Sequence, residues 1–70
     1  MHNNPNVEAV LRRTREECLR GINNAHSYGG SLAWYYTHCG EIEMALHLGL
    51  ITQERFEELN EEWHQHMPTQ

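Results

Sequence analysis

The stretch Leu46-His47-Leu48-Gly49-Leu50-Ile51-Thr52-Gln53-Glu54-Arg55-Phe56 decides how this chain folds. Gly49 fits the position just past a helix end, where the backbone turns left-handed and a residue without Cβ does so at no steric cost. Thr52 then suits an N-cap, its hydroxyl accepting from a free N–H of the next helix, with Gln53 and Glu54 in the first turn. Ile51 before that cap and Phe56 beyond it make the pair of a hydrophobic staple, which sets the angle at which the chain enters the helix. The stretch therefore predicts two helices joined by a short corner.

Upstream of the corner, Leu32, Tyr35, Cys39, Ile42 and Leu46 recur at spacings of 3, 4, 3 and 4, the rhythm of a helix–helix seam. Trp34, Ala45 and Leu48, with Met44 beside them, fall on another side, so this helix carries more apolar surface than one neighbour covers. Gly40 inside it costs about 1 kcal/mol relative to Ala, which predicts close approach of another backbone or a local kink. With Gly29-Gly30 as the boundary and Ser31 as the cap, helix 2 is expected over about 31–48.

Downstream, Phe56, Leu59, Trp63 and Met67 form a narrow apolar stripe on helix 3, expected over about 53–66 and stopped by Pro68. The acidic face opposite holds Glu54, Glu57, Glu58, Glu61 and Glu62. Before the Gly-Gly boundary, Val7, Val10, Leu11, Thr14, Cys18, Ile22 and Ala25 keep to one stripe of helix 1, expected over about 5–27. Asn4 or Asn6 can cap it, and Pro5 is tolerated only in its first turn. Gly21 and Asn23-Asn24 weaken its far end. On its opposite face Glu8/Arg12, Arg12/Glu16, Arg13/Glu17 and Glu16/Arg20 are i,i+4 pairs, worth about 0.2–0.5 kcal/mol each. The fold class is therefore all-α, one domain over residues 1–70: a helical hairpin plus one further helix, a small three-helix bundle that dimerisation can complete.

Seventy residues hold one small core with a thin stability margin. All ten acids are Glu and all five bases Arg, a choice of helix formers. Up to Gly30 four Arg stand against three Glu (+1), and after it one Arg against seven Glu (−6), for −5 in all. An acidic half argues against direct nucleic-acid binding, which draws most of its affinity from Lys and Arg on phosphates. The N-terminal stretch through Asn6 has no apolar core of a signal peptide, and no apolar run nears the ~18 residues of a membrane span. The expected setting is the reducing cytoplasm, with no membrane partner and Cys18 and Cys39 as plain thiols.

Six histidines raise a metal reading, with Glu43/His47 and Glu62/His66 as i,i+4 pairs and His38 and Cys39 able to contribute. None forms a compact ligand signature, His64 and His66 point to different sides of a helix, and His2 lies near the chain start. Exposed helical histidines, with no metal and no cofactor, are the expected state. A catalytic thiol would need Cys18 or Cys39 beside a base, and His38, adjacent to Cys39, points about 100° away on a helix. No catalytic residue is expected. The candidate site is instead an interface: Trp34, Tyr36, Glu41, Met44, Ala45 and Leu48 of helix 2, with the acidic face of helix 3 for a basic partner. The function this implies is a small non-catalytic interaction or regulatory protein, self-associating as a homodimer and binding another protein. Other classes are a DNA-binding regulator using Arg12, Arg13, Arg15 and Arg20, an acidic mimic of a phosphate backbone, and a metal-binding helical protein.

Overall fold

The computed structural model describes residues 4–70. Met1, His2 and Asn3, and with them the expectation for His2, lie outside the described residues. Three helices run α1 (Pro5–Asn24), α2 (Tyr28–His47) and α3 (Gln53–His64). No helix among the described residues is long and apolar enough to cross a membrane.

The corner between α2 and α3 forms as its residues require. Gly49 takes φ 72°, and the Gly49 N–H donates to Leu46 C=O while Leu50 N–H donates to Ala45 C=O, both at 2.9 Å. This doubly bonded end satisfies two carbonyls that a helix otherwise leaves free. Thr52 caps α3, its hydroxyl accepting from Arg55 N–H at 3.1 Å. Ile51 is buried and Phe56 packs against the core, so both members of the staple face inward.

The first turn departs from the sequence reading. α1 ends at Asn24 rather than near 27, Ala25 is extended, and Ser27 caps α2 by accepting from Gly30 N–H at 3.0 Å. Gly29 and Gly30 thus sit in the first turn of α2, where N–H groups lack intrahelical partners and poor helix formers cost least. Ser31 is not a cap: its hydroxyl donates to Ile22 C=O at 3.2 Å, closing a free carbonyl at the end of α1. α3 also stops two residues short of the expected 66, with Gln65 as its C-cap. At the other end, Asn4 caps α1 by accepting from Asn6 N–H at 2.8 Å.

The helices run up, down, up. Cross-contacts pair early α1 with late α2 and late α1 with early α2, as in Ser31 with Ile22 and Thr14 with His38. α3 runs parallel to α1, packed on α2 and reaching α1 through its side chains. Two ion pairs mark that register, Glu8–Arg55 at 2.8 Å and Arg15–Glu62 at 4.0 Å. The helix 1 arginines are thus tied differently from the sequence reading. None of the four expected i,i+4 pairs closes to ion-pair distance among the described residues, and Glu8 instead reaches across to α3.

Both apolar sides of α2 find neighbours within the chain. The seam side meets α3: Trp63, 1% exposed, stacks on Tyr35 with ring centroids 5.7 Å apart and donates from Nε1 to Tyr35 C=O at 2.9 Å. The other side meets α1. Trp34 lies over Gly21, where an added Cβ would run into the indole ring. Helix 1 therefore tolerates Gly21 for a steric reason, and continues past it.

Candidate functional site

Trp34 over Gly21 closes one end of the α1/α2 seam. Toward the other end the same two helices leave an apolar groove of about 700 Å³. Its walls are Val7, Val10 and Leu11 from α1 and Met44, Ala45 and Leu48 from α2, with Leu50 of the corner at its end. α3 contributes nothing to the lining. Met44 is 59% and Leu48 63% exposed, unusual for large apolar side chains grouped in one place. Gly40 also lines the groove, and a Cβ added there would meet nothing within 4 Å. α2 shows neither a break nor neighbouring backbone to account for this glycine.

The six interface residues read from sequence therefore separate. Met44 and Leu48 stand on the groove rim, exposed as expected. Ala45, expected at the interface, is buried and forms the floor of the groove. Glu41 is half-buried and turned toward His38 and Cys18. Trp34, 43% exposed, covers Gly21 with one face, and Tyr36 is exposed outside the groove. Val10 and Leu50 belong to the groove and escaped the sequence reading. Val10 sits at the edge of the helix 1 stripe, which reads as an inward face, while Leu50 lies in a turn that carries no periodicity.

Beneath the groove wall lies a polar cluster that sequence spacing did not reveal. Cys18 of α1 and His38 of α2 are both buried, and Glu41 sits one turn beyond His38. His38 Nδ1 lies 2.8 Å from Glu41 Oε1, and the Cys18 thiol donates to that oxygen at 3.9 Å. Thr14, whose hydroxyl donates to Leu11 C=O, stands 3.5 Å from His38 Nδ1. The far side of the His38 ring meets Trp63 edge-on, with centroids 4.6 Å apart. His38 is thus buried rather than exposed, contrary to the expectation for the histidines, because its ring completes the aromatic packing of α3 on α2. Burial, reinforced by the carboxylates of Glu41 and Glu17, pushes the Cys18 thiol up to about 11. Burial raises the Cys39 thiol as well. A buried thiol held protonated is a poor nucleophile. The surface pairs Glu43/His47 and Glu62/His66 are exposed.

The acidic face of α3 is solvated along its whole length, with Glu54, Glu57, Glu58, Glu61 and Glu62 all exposed. Glu58 accepts from Arg55 at 3.2 Å and Glu57 from Gln53 at 3.3 Å. On α1, Arg12, Arg13 and Arg20 are exposed but interleaved with Glu16 and Glu17, so that face carries mixed charge. No protein-family model, curated protein or solved structure matches the chain.

Proposed function

We propose that this chain is a small, non-catalytic interaction protein that pairs with a second copy through the α1/α2 groove and offers the acidic face of α3 to another protein. The observation that carries the reading is the groove: Met44 and Leu48 stand exposed beside an unfilled Gly40. Projecting side chains and a vacant position on one helix, about a turn apart, are self-complementary. A twofold axis lets the knobs of each copy enter the hole of the other. Gly40 lets the two α2 backbones come close, which supplies the reason for it that the single chain lacks.

Pairing through this groove leaves α3 outward on both copies. Its carboxylates then suit a basic protein surface, where complementary charge speeds encounter and selects the partner. The overall charge of −5 and the mixed face of α1 weigh against a nucleic-acid partner. Two free cysteines fit a reducing compartment such as the cytoplasm.

Light scattering across a concentration series tests the pairing. Met44→Glu combined with Leu48→Glu changes two exposed positions, so helicity by circular dichroism should persist while the dimer disappears. A wild-type chain that stays monomeric at high concentration refutes self-association. Trp34→Glu serves as the contrast: it uncovers Gly21 within one chain and should lower stability more than it affects pairing.

A further inference from the structure

From the juxtaposition of Cys18, His38 and Glu41 we infer a divalent-metal site, of the class zinc occupies, that clamps α1 to α2. The inference does not rest on the proposed pairing, although a second copy seated in the groove would cover the ion's approach. The Cys18 Sγ, a ring nitrogen of His38 and a Glu41 carboxylate oxygen all lie within 4.8 Å of one another, and Nδ1 is the nitrogen that faces Glu41. Thiolate, imidazole and carboxylate together are the donor set of a borderline-soft ion such as Zn²⁺. A tetrahedral ion with bonds of about 2.0–2.3 Å places its ligand atoms roughly 3.3–3.6 Å apart. The 2.8 Å His38–Glu41 separation must open slightly, and the 3.9 Å Cys18–Glu41 separation must close slightly. Those are side-chain adjustments, and Glu41 has the freedom for them because its side chain is 34% exposed.

The charges balance. When the ion binds, the Cys18 thiol proton passes to solvent, the sulfur lone pair and the Nδ1 lone pair bond the metal, and Glu41 donates as carboxylate. Any proton on Nδ1 shifts to Nε2. A dication with one thiolate, one carboxylate and a neutral imidazole sums to zero, which suits a mostly buried place. Thr14 and Glu41 also line the groove, so the ion has an approach and its fourth position faces a side that water reaches. The ligands come from both α1 and α2, so binding should hold those helices together, the kind of support small domains draw from structural metals.

The test is titration of the reduced full-length chain with Co²⁺ and then Zn²⁺. One equivalent of Co²⁺ should produce thiolate-to-cobalt charge-transfer absorption in the near ultraviolet. Zn²⁺ should displace it and raise the melting temperature. Cys39→Ser should leave both signals in place, Cys18→Ser should abolish the absorption, and Glu41→Gln should weaken binding at least tenfold. Glu41 is half-exposed, so its variant keeps the test open should Cys18→Ser fail to fold. Absence of the charge-transfer band in the folded wild type overturns the site. So does binding that survives Glu41→Gln unchanged, or that is lost with His47→Ala and His66→Ala, since it would then belong to the exposed Glu/His pairs.

Discussion

The same substitution, glycine to alanine, should act in opposite directions at the two glycines inside the α1/α2 pair. At Gly40 a Cβ meets nothing within 4 Å, so within one chain alanine contributes only its helix propensity, about 0.8–1.0 kcal/mol. For a domain of this size that raises the melting temperature by roughly 4–8 °C. At Gly21 the new Cβ runs into the middle of the Trp34 ring, and the indole must swing into solvent. Trp34 hides somewhat more than half its surface, so losing that cover costs about 2–3 kcal/mol at 25 cal/mol per Å². Set against the propensity gain, Gly21→Ala should be destabilising by about 1–2 kcal/mol.

Association breaks the symmetry a second time. If two α2 backbones meet at Gly40, each copy's new methyl enters the contact, and overpacking of about 1–3 kcal/mol weakens the dimer roughly tenfold or more. Thermal unfolding at low concentration measures the first effect and sedimentation across concentrations the second. Gly40→Ala should therefore melt higher as a monomer and pair less well. If it pairs as tightly as wild type, no backbone approaches Gly40 and the twofold packing is wrong. If Gly21→Ala is as stable as wild type, Trp34 does not rest on that glycine and the account of the α1/α2 seam fails.

The remaining predictions concern the bundle itself. Trp63→Ala should cost about 3–5 kcal/mol, most of the margin of a chain this short, and should abolish cooperative melting. Arg55→Ala leaves the Glu8 carboxylate without its two bonds at 2.9 and 2.8 Å and should cost about 1–3 kcal/mol in urea titration. Hydrogen bonds from Arg55 hold the Glu8 carboxyl below its ordinary 4.5, so its stabilisation is complete above that value and fades as pH falls through the folded one. Wild-type stability should accordingly fall as pH drops below 4.5, and that part of the pH dependence should be missing in Glu8→Gln. The Cys18 thiol is raised from 9.0 to about 11, so the unfolded chain ionises first and stability should drop as pH rises between those values. A thiol reagent at pH 8 should label half-buried Cys39 first and Cys18 only on unfolding, as mass mapping would show.

How far the sequence disclosed this arrangement depends on the range of the signal. Gly49, Thr52, Ile51 and Phe56 act within a few residues of one another, and their caps and staple came out as read. The stripes of α2 and α3 were legible for the same reason, since periodicity alone places Tyr35, Ile42 and Trp63 on inward faces. The turn after α1 misled because Gly29-Gly30 reads as a boundary by composition, whereas Ser27 caps a helix whose first turn holds both glycines. The Cys18–His38–Glu41 cluster was hidden because its members come from two helices, and only their antiparallel register sets residue 18 beside residues 38 and 41. Pairs within one helix, such as Glu43/His47, draw attention in sequence and are exposed in the fold.

The excess apolar surface of α2 is also smaller in the fold than in the sequence, and what is left of it is more specific. Read alone, two apolar sides on one helix asked for a second molecule. In the structure α3 takes the seam side through Trp63 on Tyr35, and α1 takes the other through Gly21 beneath Trp34. Trp34 and Ala45 thereby acquire intrachain reasons. Met44, Leu48 and Gly40 acquire none, and all three line one groove with Val10. Two large apolar side chains left in water add little to the stability of the isolated chain, and one glycine of poor helix propensity lowers it. A single packing event, closure of that groove by a matching surface, offsets all three together, which is why the association reading rests on this edge of α2 rather than on Trp34 and Tyr36.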